Sequence, residues 1–340
     1  MRTRAHHQSQ HFLRRARLGL AISAAVLLFL FVPSFCARAD GGRMVGLSYW
    51  TGHTVSSWQH VWGKPELGEY DSKNPIIIAK HAKWLSDAGV DFIFVDWSND
   101  LPYSPGCGCR PDMQPIEDAT YAVFDTFGKL QQHPKIAVMI GFPGQPTAPL
   151  DGRLQRKADQ VYNDFIANEK RRAVYEFYEG KPLLIVYAGT PTPYQRGLPP
   201  WNDPRFTVRF MTGFITQQKN LLGFGRVSKY GYWSWEDRGP QTYTIENGYP
   251  EAMTVTASWR PDINAHVAGR SRMDGTTFTD EWARARAIGV KLALVVSWNE
   301  WEISEQINAE SSKDLEPSAE FGEFYLDLLK QQIWQFKADY

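Results

Sequence analysis

Cysteine is nearly missing. Three in 340 residues exclude a small scaffold stapled by disulfides, and 43% hydrophobic with 22% charged content excludes a disordered chain. Basic charge is also scarce once the first segment is set aside. Arg2, Arg4, Arg14, Arg15, Arg17 and Arg38 all precede the first acid, Asp40, and from there 31 basic residues face 37 acidic ones. That balance, with no basic stripe, excludes a nucleic-acid binder held by phosphate contacts. A Gly-rich phosphate loop is missing, because Gly223 and Gly225 are a lone pair that neither follows a strand nor opens a helix. There is no G-x-S-x-G elbow for an esterase triad, and no His, Asp and Glu cluster with metal-ligand spacing. No metal and no cofactor is therefore expected.

Long apolar runs are confined to one place. The run 18–32 follows an Arg-bearing start and leads through Pro33 to Ala37, Arg38 and Ala39, whose small residues fit a signal-peptidase site. Residues 1–39 read as a signal peptide, with an uncleaved anchor as the alternative, since the run approaches the length that spans a bilayer. Either way the folded part, 40–340, is expected outside the cytoplasm, secreted or periplasmic, and membrane-bound only if the segment stays attached. Cys36 then falls in the discarded peptide. Cys107 and Cys109, in the loop 103–111, suit a local disulfide staple without chemistry.

From Met44 onward, short β-branched and aromatic runs alternate with helical patterns. Strands are expected at 44–50, 91–97, 136–140, 183–187, 207–212, 228–233, 253–258 and 292–297. Helices are expected at 75–88, capped by Asn74 and stopped by Gly89, then at 115–132, 154–177, 280–289 and 321–336. Eight strands with no linker or composition break predict one α/β domain, a (β/α)8 TIM barrel whose second half has irregular connections. A doubly wound open sheet is the runner-up.

In such a barrel the C-terminal strand ends carry the chemistry. Seven of the thirteen tryptophans fall there: Trp50, Trp97, Trp233, Trp235, Trp259, Trp298 and Trp301. Indole faces stack on the apolar faces of sugar rings while the N–H reaches hydroxyls, so these seven, with Asn299, are the expected carbohydrate-binding residues. The same rim carries Asp96 and Asp100, Glu236 and Asp237, Asp262, and Glu300, Glu302 and Glu305. Glycosidic cleavage needs two carboxyls, one to protonate the leaving oxygen and one as base or nucleophile. Asp237 and Asp262 are expected to pair with arginines such as Arg238 or Arg260, leaving Glu300, Glu302, Glu305 and Asp96 as catalytic candidates.

The run Ser297, Trp298, Asn299, Glu300, Trp301 resembles the glycoside hydrolase family 99 and family 71 group and the related WbsX-type proteins of polysaccharide loci. Two further stretches agree with that group: Pro65 to Ser72 leading into 78–89 with Asp96 and Trp97, and Glu316-Pro317-Ser318 with Gly322, Tyr325 and Leu326. The resemblance spans most of 44–329. It implies an exported barrel acting on α-linked mannose chains without a metal, in which Glu300 is the base that helps the sugar's own 2-hydroxyl attack the anomeric carbon. A second Glu, the acid, is expected three residues on, where this chain has Ile303. Fourteen residues separate Trp301 from Glu316, so the acid is expected to have moved to Glu302 or Glu305.

The leading expectation is an exported, endo-acting glycosidase of an α-glycan, mannan-like or other. A glycan-binding barrel that lost its acid, and a polysaccharide-locus protein in glycan assembly, are the competing readings.

Overall fold

The computed structural model describes residues 42–59, 61–101, 113–189, 197–214, 227–228, 230–238, 241–261, 268–301 and 307–338. Ten strands occur there: β1 (Met44–Tyr49), β2 (Phe92–Trp97), β3 (Lys135–Gly141), β4 (Phe177–Tyr178), β5 (Lys181–Tyr187), β6 (Thr207–Phe214), β7 (Trp233–Glu236), β8 (Tyr243–Glu246), β9 (Tyr249–Thr256) and β10 (Leu292–Val296). Eight of them pair in parallel in the order β7-β6-β5-β3-β2-β1-β10-β9. Seven of them lie where strands are expected. The sixth, expected at 228–233, is instead Trp233–Glu236 and shares only Trp233 with that expectation, so Trp235 lies inside it.

The two ends of this parallel series meet at a seam between β7 and β9. No ladder joins them among the described residues. Instead the Thr254 hydroxyl donates to the Ser234 carbonyl, and the Trp233 indole N–H donates to Glu251 at 3.2 Å. The Gln241 amide donates to the Thr254 carbonyl at 2.6 Å. The lower edge of β9 is covered by β8, its antiparallel hairpin partner.

Both faces of each barrel strand are buried, one toward the barrel axis and one toward the helices. Phe92, Phe94, Ala137, Met139, Leu183, Ile185, Leu292 and Leu294 fill the axis, while their alternating neighbours Ile93, Val95, Ile136, Val138 and Val295 pack under the helices. Burying each such side chain contributes about 1.5–3 kcal/mol. Gly46 is required on β1, because a Cβ there would meet the Phe92 ring at 2.4 Å.

The helices are α1 (Pro75–Ala88), α2 (Gln114–Phe127), α3 (Arg153–Val161), α4 (Glu169–Arg172), α5 (Thr276–Ile288) and α6 (Phe324–Ala338). Asn74 caps α1 by accepting from the Ile76 amide, and Gly89 ends it at φ +86°. The single long helix expected at 154–177 is instead broken. It widens into a π-turn at Tyr162–Ile166, and Asn168 starts a new helix by accepting from the amides of Lys170 and Arg171. Among the described residues no helix lies between β5 and β9. No helix there is long and apolar enough to cross a membrane. Residues 1–41, and Cys107 and Cys109 with their loop, lie outside the described residues.

Candidate active site

The turn that follows β10 is fixed by two buried carboxylates. Asp314 accepts from the backbone amides of Glu300 (2.7 Å) and Trp301 (3.0 Å), the Trp62 indole (2.9 Å) and the hydroxyls of Ser297 and Ser312. Glu316 accepts from the Trp301 indole (2.6 Å), the Tyr70 hydroxyl (2.8 Å) and His81 Nε2 (2.9 Å). His81 in turn lies 2.8 Å from the Tyr49 hydroxyl through Nδ1. Burial and the Glu316 charge push both tyrosine phenols well up, so they stay neutral donors.

Four of the five side chains in this turn are thereby directed into protein. Ser297 goes to Asp314, and Trp298 packs beside His81 and Trp84 behind the sheet. Asn299 clamps the end of β1, accepting from Trp50 N at 2.9 Å and donating to Trp50 O at 3.1 Å. Its own carbonyl accepts from His53, whose imidazole burial holds below the usual range. Trp301 stacks on Trp62 at 4.6 Å with 14° between the rings. It holds φ at +44°, a conformation costing about 1–2 kcal/mol for a bulky residue, and its bonds to Asp314 and Glu316 offset that cost. Glu300 alone turns to the barrel mouth.

There it meets residues from across the rim. Lys313 Nζ lies 3.1 Å from Glu300 Oε2 and 3.7 Å from Glu236 Oε2, at the end of β7. Arg238 Nε donates to the other Glu236 oxygen at 2.6 Å. The two glutamate carboxylates thus share one ammonium and lie no more than about 7 Å apart. Tyr187, at the end of β5, has its phenol pushed up to about 12, first by burial and then by the charges of Asp96, Glu300 and Glu236 against Lys313. That places Asp96 of β2 in the same cluster. Loss of water raises the Asp96 carboxyl above its usual range, against a 2.7 Å hydrogen bond from the Ser98 amide. The arrangement offers three carboxyls, a neutral phenol and two cations around one opening, which is sufficient for acid and base work on a polar substrate.

The tryptophan rim needs correction. Trp97, Trp233, Trp298 and Trp301 are less than 2% exposed, so none offers an indole face to a sugar. Strand parity explains Trp97: it shares the helix-facing side with Ile93 and Val95, where it packs on Phe165 and donates to Thr120 at 2.8 Å. Trp235 lies on the barrel axis under the mouth, edge-on to Phe94 and Tyr187. Trp259 donates to the Ala268 carbonyl and is 7% exposed. Only Trp50 among the seven is partly exposed, its ring backed by Gly52, where a Cβ would meet it at 2.4 Å. Asn299, at 1% exposure, is a clamp on the β1 end instead of a sugar contact.

Other rim acids have local partners: Asp237 accepts from the Ser234 hydroxyl and the Thr242 amide, while Arg238 donates to Glu236. Asp100 pairs with Lys157 at 2.9 Å beneath the rim, together with Glu117 at 3.0 Å. Glu302, Glu305, Ile303 and Asp262 lie outside the described residues. Sequence reasoning missed Lys313, Asp314 and Tyr187. Asp314 carried a signal in retrospect, standing two residues before Glu316, while Lys313 carried none.

Among the described residues no three His, Cys, Asp or Glu side chains gather as a metal site. No family model matches the chain, and no curated protein does. Solved structures do match. The GH99 endo-α-mannosidase of Bacteroides thetaiotaomicron, in complex with BIS-TRIS-propane, superposes with a TM-score of 0.54 at 14% identity, over 86% of this chain and 97% of its own. A second structure of that enzyme gives 0.53 at 13% identity, over 87% and 98%. At these identities the likeness is one of fold alone: the chain shares the (β/α)8 barrel of these two structures.

Proposed function

We propose that the protein is a glycoside hydrolase that cleaves an α-linked oligosaccharide or polysaccharide inside the chain, with Glu300 as its base. One observation carries this reading: of the five residues in the turn after β10, Glu300 alone faces the mouth, where Glu236 and Asp96 join it from strands on either side. The barrel's likeness to endo-α-mannosidases supports the substrate class. In the proposed step Glu300 takes the proton of the sugar 2-hydroxyl, whose oxygen attacks the anomeric carbon as the leaving oxygen receives a proton from the acid. The acid is assigned to Glu302 or Glu305, with Asp96 next in line.

The test is Glu300→Gln, assayed on an activated α-glycoside and on a glycan panel with mass detection of products. Loss of the base slows both by roughly 100-fold or more, whereas loss of the acid spares the activated substrate. Full activity on both would remove Glu300 and leave Asp96 with Glu236 as the pair. Ile303 favours a second reading, a glycan-binding barrel without catalysis, and binding with no product from any glycan would select it. Export with loss of residues 1–39 belongs to the same proposal. N-terminal sequencing of the exported protein, beginning near Asp40, tests it.

A further inference from the structure

Lys313 is a buried cation, its side chain 8% exposed, and the chemistry above gives it no part. A buried ammonium is stable only with its charge answered. Here two rim carboxylates answer it, Glu300 at 3.1 Å and Glu236 at 3.7 Å. Its backbone is tied to the same turn as Glu300: the Leu315 amide donates to Ser297 O at 3.1 Å, and the neighbouring Asp314 binds the Glu300 amide at 2.7 Å. One carboxylate therefore sets the register of both partners in the ion pair. Glu236 is held from its other side by Arg238, so the ammonium meets a fixed counter-charge at the end of β7, with only β9 between that strand and β10.

We propose that Lys313 is a positioning residue that holds Glu300 ionised and in place beside Glu236 at the mouth. This rests on the reading of Glu300 as the base. Among the described residues, the charged and titratable groups gathered with Glu300 are Lys313 from its own loop, Glu236 with Arg238 from the β7 end, Asp96 from β2 and Tyr187 from β5. An opposite charge at about 3 Å favours a carboxylate, and like charges nearby disfavour it. With this ammonium removed, Glu300 loses one opposite charge beside Glu236 and Asp96, and it takes up a proton at higher pH.

The experiment follows the carboxyl itself, in protein labelled with 13C at glutamate Cδ and with the Glu300 signal assigned by its loss in Glu300→Gln. In Lys313→Met the Glu300 titration midpoint is expected to rise by about one pH unit or more, and the acid limb of kcat/KM to rise with it. Lys313→Gln, which keeps a polar group of similar reach, should do the same, while Lys313→Arg should leave the midpoint within about 0.3 unit of wild type. A midpoint unmoved in both neutral variants overturns the proposal, as does an even loss of rate at every pH, which marks a packing role. Activity retained in Glu300→Gln would overturn the base reading separately, since the titration reports Lys313 whether or not the protein cleaves a glycan.

Discussion

Replacing Asp314 with Asn changes one oxygen to an amide nitrogen and little else, so its cost can be worked from the bonds. Oδ1 serves the Glu300 amide and the Ser297 hydroxyl, while Oδ2 serves the Trp301 amide, the Trp62 indole and the Ser312 hydroxyl. An asparagine has one acceptor oxygen, and it will take the Oδ2 place, where two donors cannot turn away. Its NH2 then faces Ser297, whose hydroxyl can rotate to accept, and the Glu300 N–H, which cannot. One buried backbone donor is orphaned, at about 1–3 kcal/mol, and the remaining bonds lose their charge assistance. The expected destabilisation is about 2–4 kcal/mol. It falls on the residue whose register matters most, so hydrolysis should drop further than stability alone explains. Urea unfolding of the pair gives the first number, and hydrogen exchange at the Glu300 amide gives the location. A loss below about 1 kcal/mol with that amide still protected would refute the reasoning.

Trp97→Ala should cost about 3–5 kcal/mol as a core cavity, while the folded fraction binds glycan as wild type does; weakened binding at unchanged stability would return Trp97 to the sugar site. Glu281, buried against Thr256, titrates at about 8 when folded, and nearby Asp237 at about 7, both raised first by burial. Their unfolded values lie near 4, so between there and pH 8 the folded state keeps protons that the unfolded chain has lost. Their contribution is full below about pH 4, declines across that interval and is gone above it. A melting series from pH 5 to 9 should therefore fall, and Glu281→Gln should flatten it; an unchanged slope would exclude Glu281 as its source.

Seven of the eight strands were legible because each is a short apolar run bounded by turn residues, while the sixth starts only at the end of the expected run 228–233. The helix α1 was legible because Asn74 and Gly89 mark both its ends. The faces were not. A barrel strand is buried on both sides, so Phe92, Ile93, Phe94 and Val95 read as one continuous run, with no polar alternation to show that Trp97 points to the helices and Asp96 to the axis. A strand-end position told which residues lie near the rim without telling which way they turn. The break in the helix at 154–177 was written in Asn168, a cap residue masked by the charged run around it. Glu300 was found through its neighbours' resemblance to a known turn, but what fixes it, Asp314, lies thirteen residues beyond Trp301 and becomes its partner only in three dimensions.

The seam between β7 and β9 bears on how this protein can change over generations. Elsewhere around the ring, adjacent strands are joined by main-chain groups, which every amino acid except proline supplies alike, so the cylinder is insensitive to most substitutions there. At the seam the stitching belongs to particular side chains, Trp233, Thr254 and Gln241, together with the Glu251 carboxylate. Single codon changes can therefore loosen the ring at this line. Descendants that keep the barrel are expected to drift freely in their ladders while holding these four positions, or to replace them only in concert.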